Sequence, residues 1–147
     1  MKIIRPAFLL AASAALTAPG LHAEPQRGLD LTVTGLHSAK GRIIACLWHE
    51  KTRFPSCEKS KTALKRTFPV TGTTMRVSLP LPAAGRYAVT VVHDEDGNGK
   101  MKRNFIGMPA EGVGISNNPG GMPGFEKSLV DVAPGSAMTI RMKYLFD

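Results

Sequence analysis

The run Arg42–His49, RIIACLWH, is apolar on both faces, the pattern of a central strand covered from both sides. A chain built round such a strand needs a layer against each face, and the remaining patterning offers strands to build them. Leu29, Leu31 and Val33 alternate with Asp30, Thr32 and Thr34, and Gly35 closes that run. Leu64, Arg66, Phe68 and Val70 share one face of another. Met75, Val77 and Leu79 alternate with Arg76 and Ser78, and Pro80 and Pro82 end the strand because proline cannot donate to a ladder. Arg86–His93, RYAVTVVH, is the strongest strand signal of all. Lys127–Val132 and Met138–Tyr144 complete a set of seven, the last with Met138, Ile140, Met142 and Tyr144 on one face. No amphipathic helix competes, although Ser56–Leu64 holds enough helix formers for one turn. Short strands at this spacing predict an all-β sandwich, two sheets burying their alternating faces against each other.

The amino terminus carries an address. Lys2 and Arg5 precede the apolar stretch Ala7–Leu16, and Pro19-Gly20 breaks it before Leu21-His22-Ala23. This is the layout of a secretory signal peptide cleaved after Ala23, and its apolar core is too short to span a bilayer. Residues 1–23 are therefore expected to be removed, leaving 24–147 as a single domain of 124 residues, periplasmic or secreted. No second apolar span follows, so no transmembrane segment is expected in that domain. Its 17 basic and 11 acidic residues leave a net charge of +6. A basic exported domain could meet lipid head groups, acidic glycans or anionic ligands; export disfavours nucleic acid, and the partner is expected to be an envelope protein, a glycan or a small ligand.

Cys46 and Cys57 are the only cysteines, and an even pair in an exported chain points to a disulfide. Ten residues lie between them, a closure worth about 3 kcal/mol in the chain-entropy model. There is no C-x-x-C, so the bond reads as structural.

One segment departs from strand patterning. Gly107–Gly124 holds six glycines and three prolines in eighteen residues, and is expected to form one long Gly/Pro-rich loop. It follows an acidic turn, HDEDGNGK. There Asp94, Asp96 and Asn98 recur at every second residue ahead of Gly99, the opening of a calcium loop in which alternate oxygens converge on one ion. Lys100 would add its backbone carbonyl. The later positions of such a loop fall on Lys102 and Phe105, which cannot supply the expected oxygens; Asn104 and Glu111 are the nearest substitutes. The same residues also suit a self-capped turn, because Asp and Asn bond their own backbone and Asn98-Gly99 fits a tight hairpin. Both readings stand on the sequence. Methionines 101, 108 and 122 lie near His93 but lack the spacing of a copper site. Ser56–Lys59 matches S-x-x-K with no partner motif, and no nucleophile is paired with a base, so no catalytic residue is assigned.

The segment His93–Asn118 resembles a bacterial family catalogued as domain of unknown function 2141. The matching residues are His93, Asp94, Asn98, Gly99, Lys100, Asn104, Gly107, Pro109, Glu111, Gly114, Ser116, Asn117 and Asn118. Leu31–Trp48 is similar to that family's opening strands. Asp96 stands where the family usually has Asn, and Lys102 where it usually has Asp. The resemblance implies an exported immunoglobulin-like or transthyretin-like β-sandwich, with no activity attached. The expectation is a non-enzymatic binding module using the 93–124 surface, with Asp94, Asp96, Asn98 and Lys100 as candidate Ca²⁺ ligands. His93, Asn104, Glu111, Ser116, Asn117 and Asn118 are the candidate ligand-binding residues. The alternative is a structural or envelope-assembly module in which the motif only builds a rigid turn.

Overall fold

The computed structural model describes residues 28–146. The signal peptide expected over residues 1–23, its cleavage after Ala23 and the start of the exported domain lie outside them. Among the described residues there are eight strands and one short helix. They are β1 (Leu29–Thr34), β2 (Arg42–Trp48), β3 (Leu64–Pro69), β4 (Thr74–Leu79), β5 (Gly85–Asp94), β6 (Gly112–Ile115), α1 (Phe125–Ser128), β7 (Val130–Val132) and β8 (Ala137–Arg141). A turn of 3-10 helix occupies Cys57–Lys59, inside the stretch rich in helix formers.

The strands form a sandwich. One sheet has the order β4-β1-β8 and the other β3-β2-β5-β6, with β7 pairing the first residues of β5. The pairings are antiparallel except that of the first and last strands, β1 and β8, which run parallel. Period-two alternation puts Leu29, Leu31 and Val33 of β1 against Ile43, Ala45 and Leu47 of β2 and Val89 and Val91 of β5. Burying each such Leu, Ile or Val is worth about 2 kcal/mol.

The opposite face of β2 and β5 is apolar too, and it has its own cover. Ile44, Cys46, Trp48, Ala88 and Val92 pack under Cys57, Phe54, Met101, Phe125 and Leu129. The both-face apolar pattern of RIIACLWH is thus explained by a second small core outside the sandwich. The Cys46–Cys57 disulfide ties this cover to β2 across a Cα separation of 6.3 Å.

Two details differ from the sequence expectation. The strand expected over Lys127–Val132 is divided, with α1 taking its first part and β7 the rest. The Gly/Pro-rich segment contains the eighth strand, β6, which pairs with β5 from Thr90↔Ile115 to His93↔Gly112. Its glycines serve close packing. A Cβ on Gly112 would stand 2.4 Å from the Tyr144 ring, and one on Gly114 2.5 Å from Ile140 Cγ2. Side chains there would push β6 away from the end of the chain. Val113 instead exchanges both backbone hydrogen bonds with Lys143, at 2.9 and 2.7 Å, joining the two sheets along this side.

Candidate functional site

His93 and Asp94 end β5, and strand alternation sends them to opposite faces. His93 turns inward and is fully buried. Its Nε2 lies 2.9 Å from the Lys40 carbonyl and its Nδ1 2.7 Å from the Tyr144 hydroxyl. A carbonyl can only accept, so Nε2 carries the proton and Nδ1 accepts from Tyr144. The same hydroxyl accepts the His37 amide at 3.1 Å. This chain of bonds joins the end of β5 to the β1–β2 connection and to the carboxyl-terminal segment.

Asp94 is fully buried on the other face, opposite Arg42 in the β2–β5 register. Arg42 Nε donates to Asp94 Oδ2 at 2.8 Å, and its Nη2 donates to the Gly97 carbonyl. The Gly99 amide donates to Oδ2 at 2.8 Å and the Asn98 amide to Oδ1 at 3.0 Å. Asp96 accepts from the Asn98 amide and side chain, and Asn98 Oδ1 accepts the Lys100 amide at 2.7 Å. Gly97 and Gly99 both have positive φ, 72° and 81°, which lets the backbone fold round the carboxylate. The turn is built as Asx bonding dictates, with Arg42 fixed beneath it as a cation.

Glu111 closes the structure from the other strand. It is 5% exposed, accepting the Glu95 amide at 3.2 Å and the Lys102 amide at 2.9 Å. Between these two anchors residues 102–110 form a short hairpin. The Ala110 amide donates to the Lys102 carbonyl and the Asn104 amide to the Met108 carbonyl, both at 2.9 Å. Asn104 caps the tip, its Oδ1 accepting the Ile106 and Met108 amides. The tip faces outward, with Phe105 98% and Ile106 62% exposed.

Carboxylate oxygens of Asp94, Asp96 and Glu111 lie within 4.8 Å of one another. The two buried members titrate in opposite directions. Burial raises the Asp94 carboxyl, but bonds from Arg42 and Gly99 outweigh it and hold the group below the ordinary aspartate range. Burial pushes Glu111 up, and the nearby Asp96 and Asp94 charges add to that, against the Lys102 and Glu95 amides. Stability linked to Asp94 is therefore fully present above the unfolded aspartate value and lost as pH falls through its lower folded value. The Glu111 contribution has the reverse sign, present below the unfolded glutamate value and lost as pH rises through the raised one. We expect the stability gap between wild type and Asp94→Asn to be constant near neutral pH and to narrow in acid. Urea unfolding across an acid titration checks this; a gap that widens in acid would contradict the sign.

The remaining sequence candidates sit away from this cluster. Ser116 is buried beyond β6, its Oγ donating to the Ser128 carbonyl at 2.5 Å and accepting the Val89 amide at 2.9 Å. Asn117 and Asn118 take positive φ of 63° and 42°, a left-handed corner that asparagine tolerates. Asn117 Nδ2 donates to the Lys127 and Leu129 carbonyls, and Asn118 Oδ1 accepts the Arg141 amide. The sequence reading gathered Asp94, Asp96, Asn98 and Glu111 together but missed Arg42 and Tyr144. Arg42 meets Asp94 only through the β2–β5 register, which no pattern within either strand reports.

Among the described residues no helix is long and apolar enough to cross a membrane. No curated protein and no solved structure matches the chain. The profile of the family described as "uncharacterized protein conserved in bacteria", DUF2141, matches residues 31–141. That span includes both central strands, the carboxylate cluster and the hairpin, and the chain belongs to this family.

Proposed function

We propose that this protein is an exported, non-enzymatic binding module that meets its partner through the 93–124 surface, with Asp94 and Glu111 as internal clamps. One observation carries the reading. A hairpin whose base is fixed by a buried carboxylate holds a phenylalanine 98% exposed at its tip. Single exposed apolar residues are ordinary, but Phe105, Ile106 and Met108 lie close in sequence on a backbone held by specific hydrogen bonds. The other polar residues of the motif are engaged in bonds to backbone, which suits presentation of a surface better than chemistry upon a substrate. The disulfide fits an oxidising compartment outside the cytoplasm. A photo-crosslinking residue at position 105 should form adducts in intact cells, and one at the exposed Ala83, at the other end of β5, should not. Equal labelling at both positions, or none at either, would count against the reading.

A second reading adds a cation. Three carboxylates lie within 4.8 Å, one of them, Glu111, raised by burial and further by the Asp96 and Asp94 charges, and a hard divalent ion there would relieve their repulsion. In that case Ca²⁺ at a hundred times its dissociation constant raises stability by about 2.7 kcal/mol, and Asp94→Ala abolishes the gain. Thermal unfolding after chelation, with Mg²⁺ as control, measures this. No shift at millimolar calcium leaves the cluster as a self-capped turn.

A further inference from the structure

We infer that the partner of this surface is an anionic phospholipid bilayer, with the hairpin tip entering the headgroup layer; this rests on the binding-module reading above. From Lys100 to Ala110 there are three cations, Lys100, Lys102 and Arg103, and no acid. All three cations are exposed, and among the described residues none is in an ion pair. The acids of the region, Asp94, Glu95, Asp96 and Glu111, are confined in sequence to the base of the hairpin. Asp94 is matched by Arg42, and Glu111 is buried against two amides. Charge and apolarity are thus ordered along the chain: acids and Lys100 at the base, Lys102 and Arg103 on the rising arm, where Arg103 Nη1 donates to the Gly107 carbonyl, and Phe105 and Ile106 at the end.

That order suits a lipid surface. A phenylalanine and an isoleucine can sit at the headgroup–acyl boundary while lysine and arginine side chains reach phosphates just outside it. A single shallow apolar insertion holds a protein only marginally, so the cations are needed as a second attraction. The buried clamp matters here as well. A hairpin already fixed through Glu111 and Asn104 loses little backbone entropy on insertion.

The test is sedimentation of the protein, purified from an exporting host, with vesicles of phosphatidylcholine alone or mixed with phosphatidylglycerol. Retention is expected on the mixed vesicles only, falling as salt is added. Phe105→Asp/Ile106→Asp should weaken it by about tenfold or more, and Lys100→Gln/Lys102→Gln by roughly fivefold per charge removed. Both variants should melt like wild type, since the altered side chains are exposed. In Phe105→Trp, emission should shift to the blue on mixed vesicles against a constant background from the buried Trp48. Wild-type protein that ignores mixed vesicles, or a double-aspartate variant that still binds them, overturns the inference. If vesicles are ignored while position 105 crosslinks to a protein, the membrane inference fails and the binding-module reading stands. If neither occurs, both fail.

Discussion

Asp94→Ala should unfold with about 3 to 4 kcal/mol less free energy than wild type. Asp94 is 0% exposed and accepts the Asn98 and Gly99 amides and Arg42 Nε. Alanine leaves the Gly99 amide without its acceptor, the Asn98 amide with Asp96 alone, and a guanidinium without its counterion. Each lost amide bond costs about 1 kcal/mol. The Arg42 side chain is 37% exposed, so solvent offsets part of the lost ion pair and keeps the total from rising further. The damage should be local in the native state. The Gly99 amide should exchange freely, while those of β1 and β2 keep their protection. Asp94→Asn retains one acceptor and should lose about half as much. Urea unfolding measures the totals, and a loss under about 1 kcal/mol for the alanine variant would remove Asp94 from its role as clamp.

Trp48→Ala should cost about 4 kcal/mol. Trp48 is fully buried in the outer core, edge-on to Phe54 at 5.3 Å, and Phe54 in turn meets Phe125 at 5.5 Å. Its Nε1 donates to Thr90 Oγ1 at 2.9 Å. Removing the indole opens a cavity under the whole cover and strands the Thr90 hydroxyl. Met101 packs against this cluster just before the hairpin, so the variant should also loosen the approach to the tip. Trp48→Phe keeps most of the volume and loses the hydrogen bond, for about 1 to 2 kcal/mol. Unfolding must be followed by circular dichroism, because Trp48 is the only tryptophan. A small loss in Trp48→Ala would mean the outer face is not a core.

Much of the fold was legible because strand alternation is local. β1 and β4 follow directly from residues spaced two apart, RYAVTVVH is a plain run of strand formers, and RIIACLWH announces a strand with two covered faces. What stayed hidden depended on register or on the third dimension. The Arg42–Asp94 pair exists because two strands meet in one alignment, and nothing within either strand states it. β6 leaves no strand pattern because Gly112 and Gly114 carry no side chain to alternate; their absence of Cβ is what the Tyr144 ring and Ile140 require. The parallel pairing of β1 with β8 joins the two ends of the domain and leaves no local trace. The acidic turn was legible as a turn. That Glu111 would return to it, after the hairpin, was visible only as a nearby oxygen donor.

The clamp-and-present arrangement is tested most directly by hydrogen exchange at the Asn104 and Ala110 amides, in wild type and in Glu111→Ala. Both amides donate within the hairpin, and Glu111 holds its base through the Lys102 amide. Protection of both in wild type, lost in the variant while β2 and β5 keep theirs, is the expected result. Free exchange in wild type, or unchanged protection without the carboxylate, would show that Glu111 does not hold the hairpin in place.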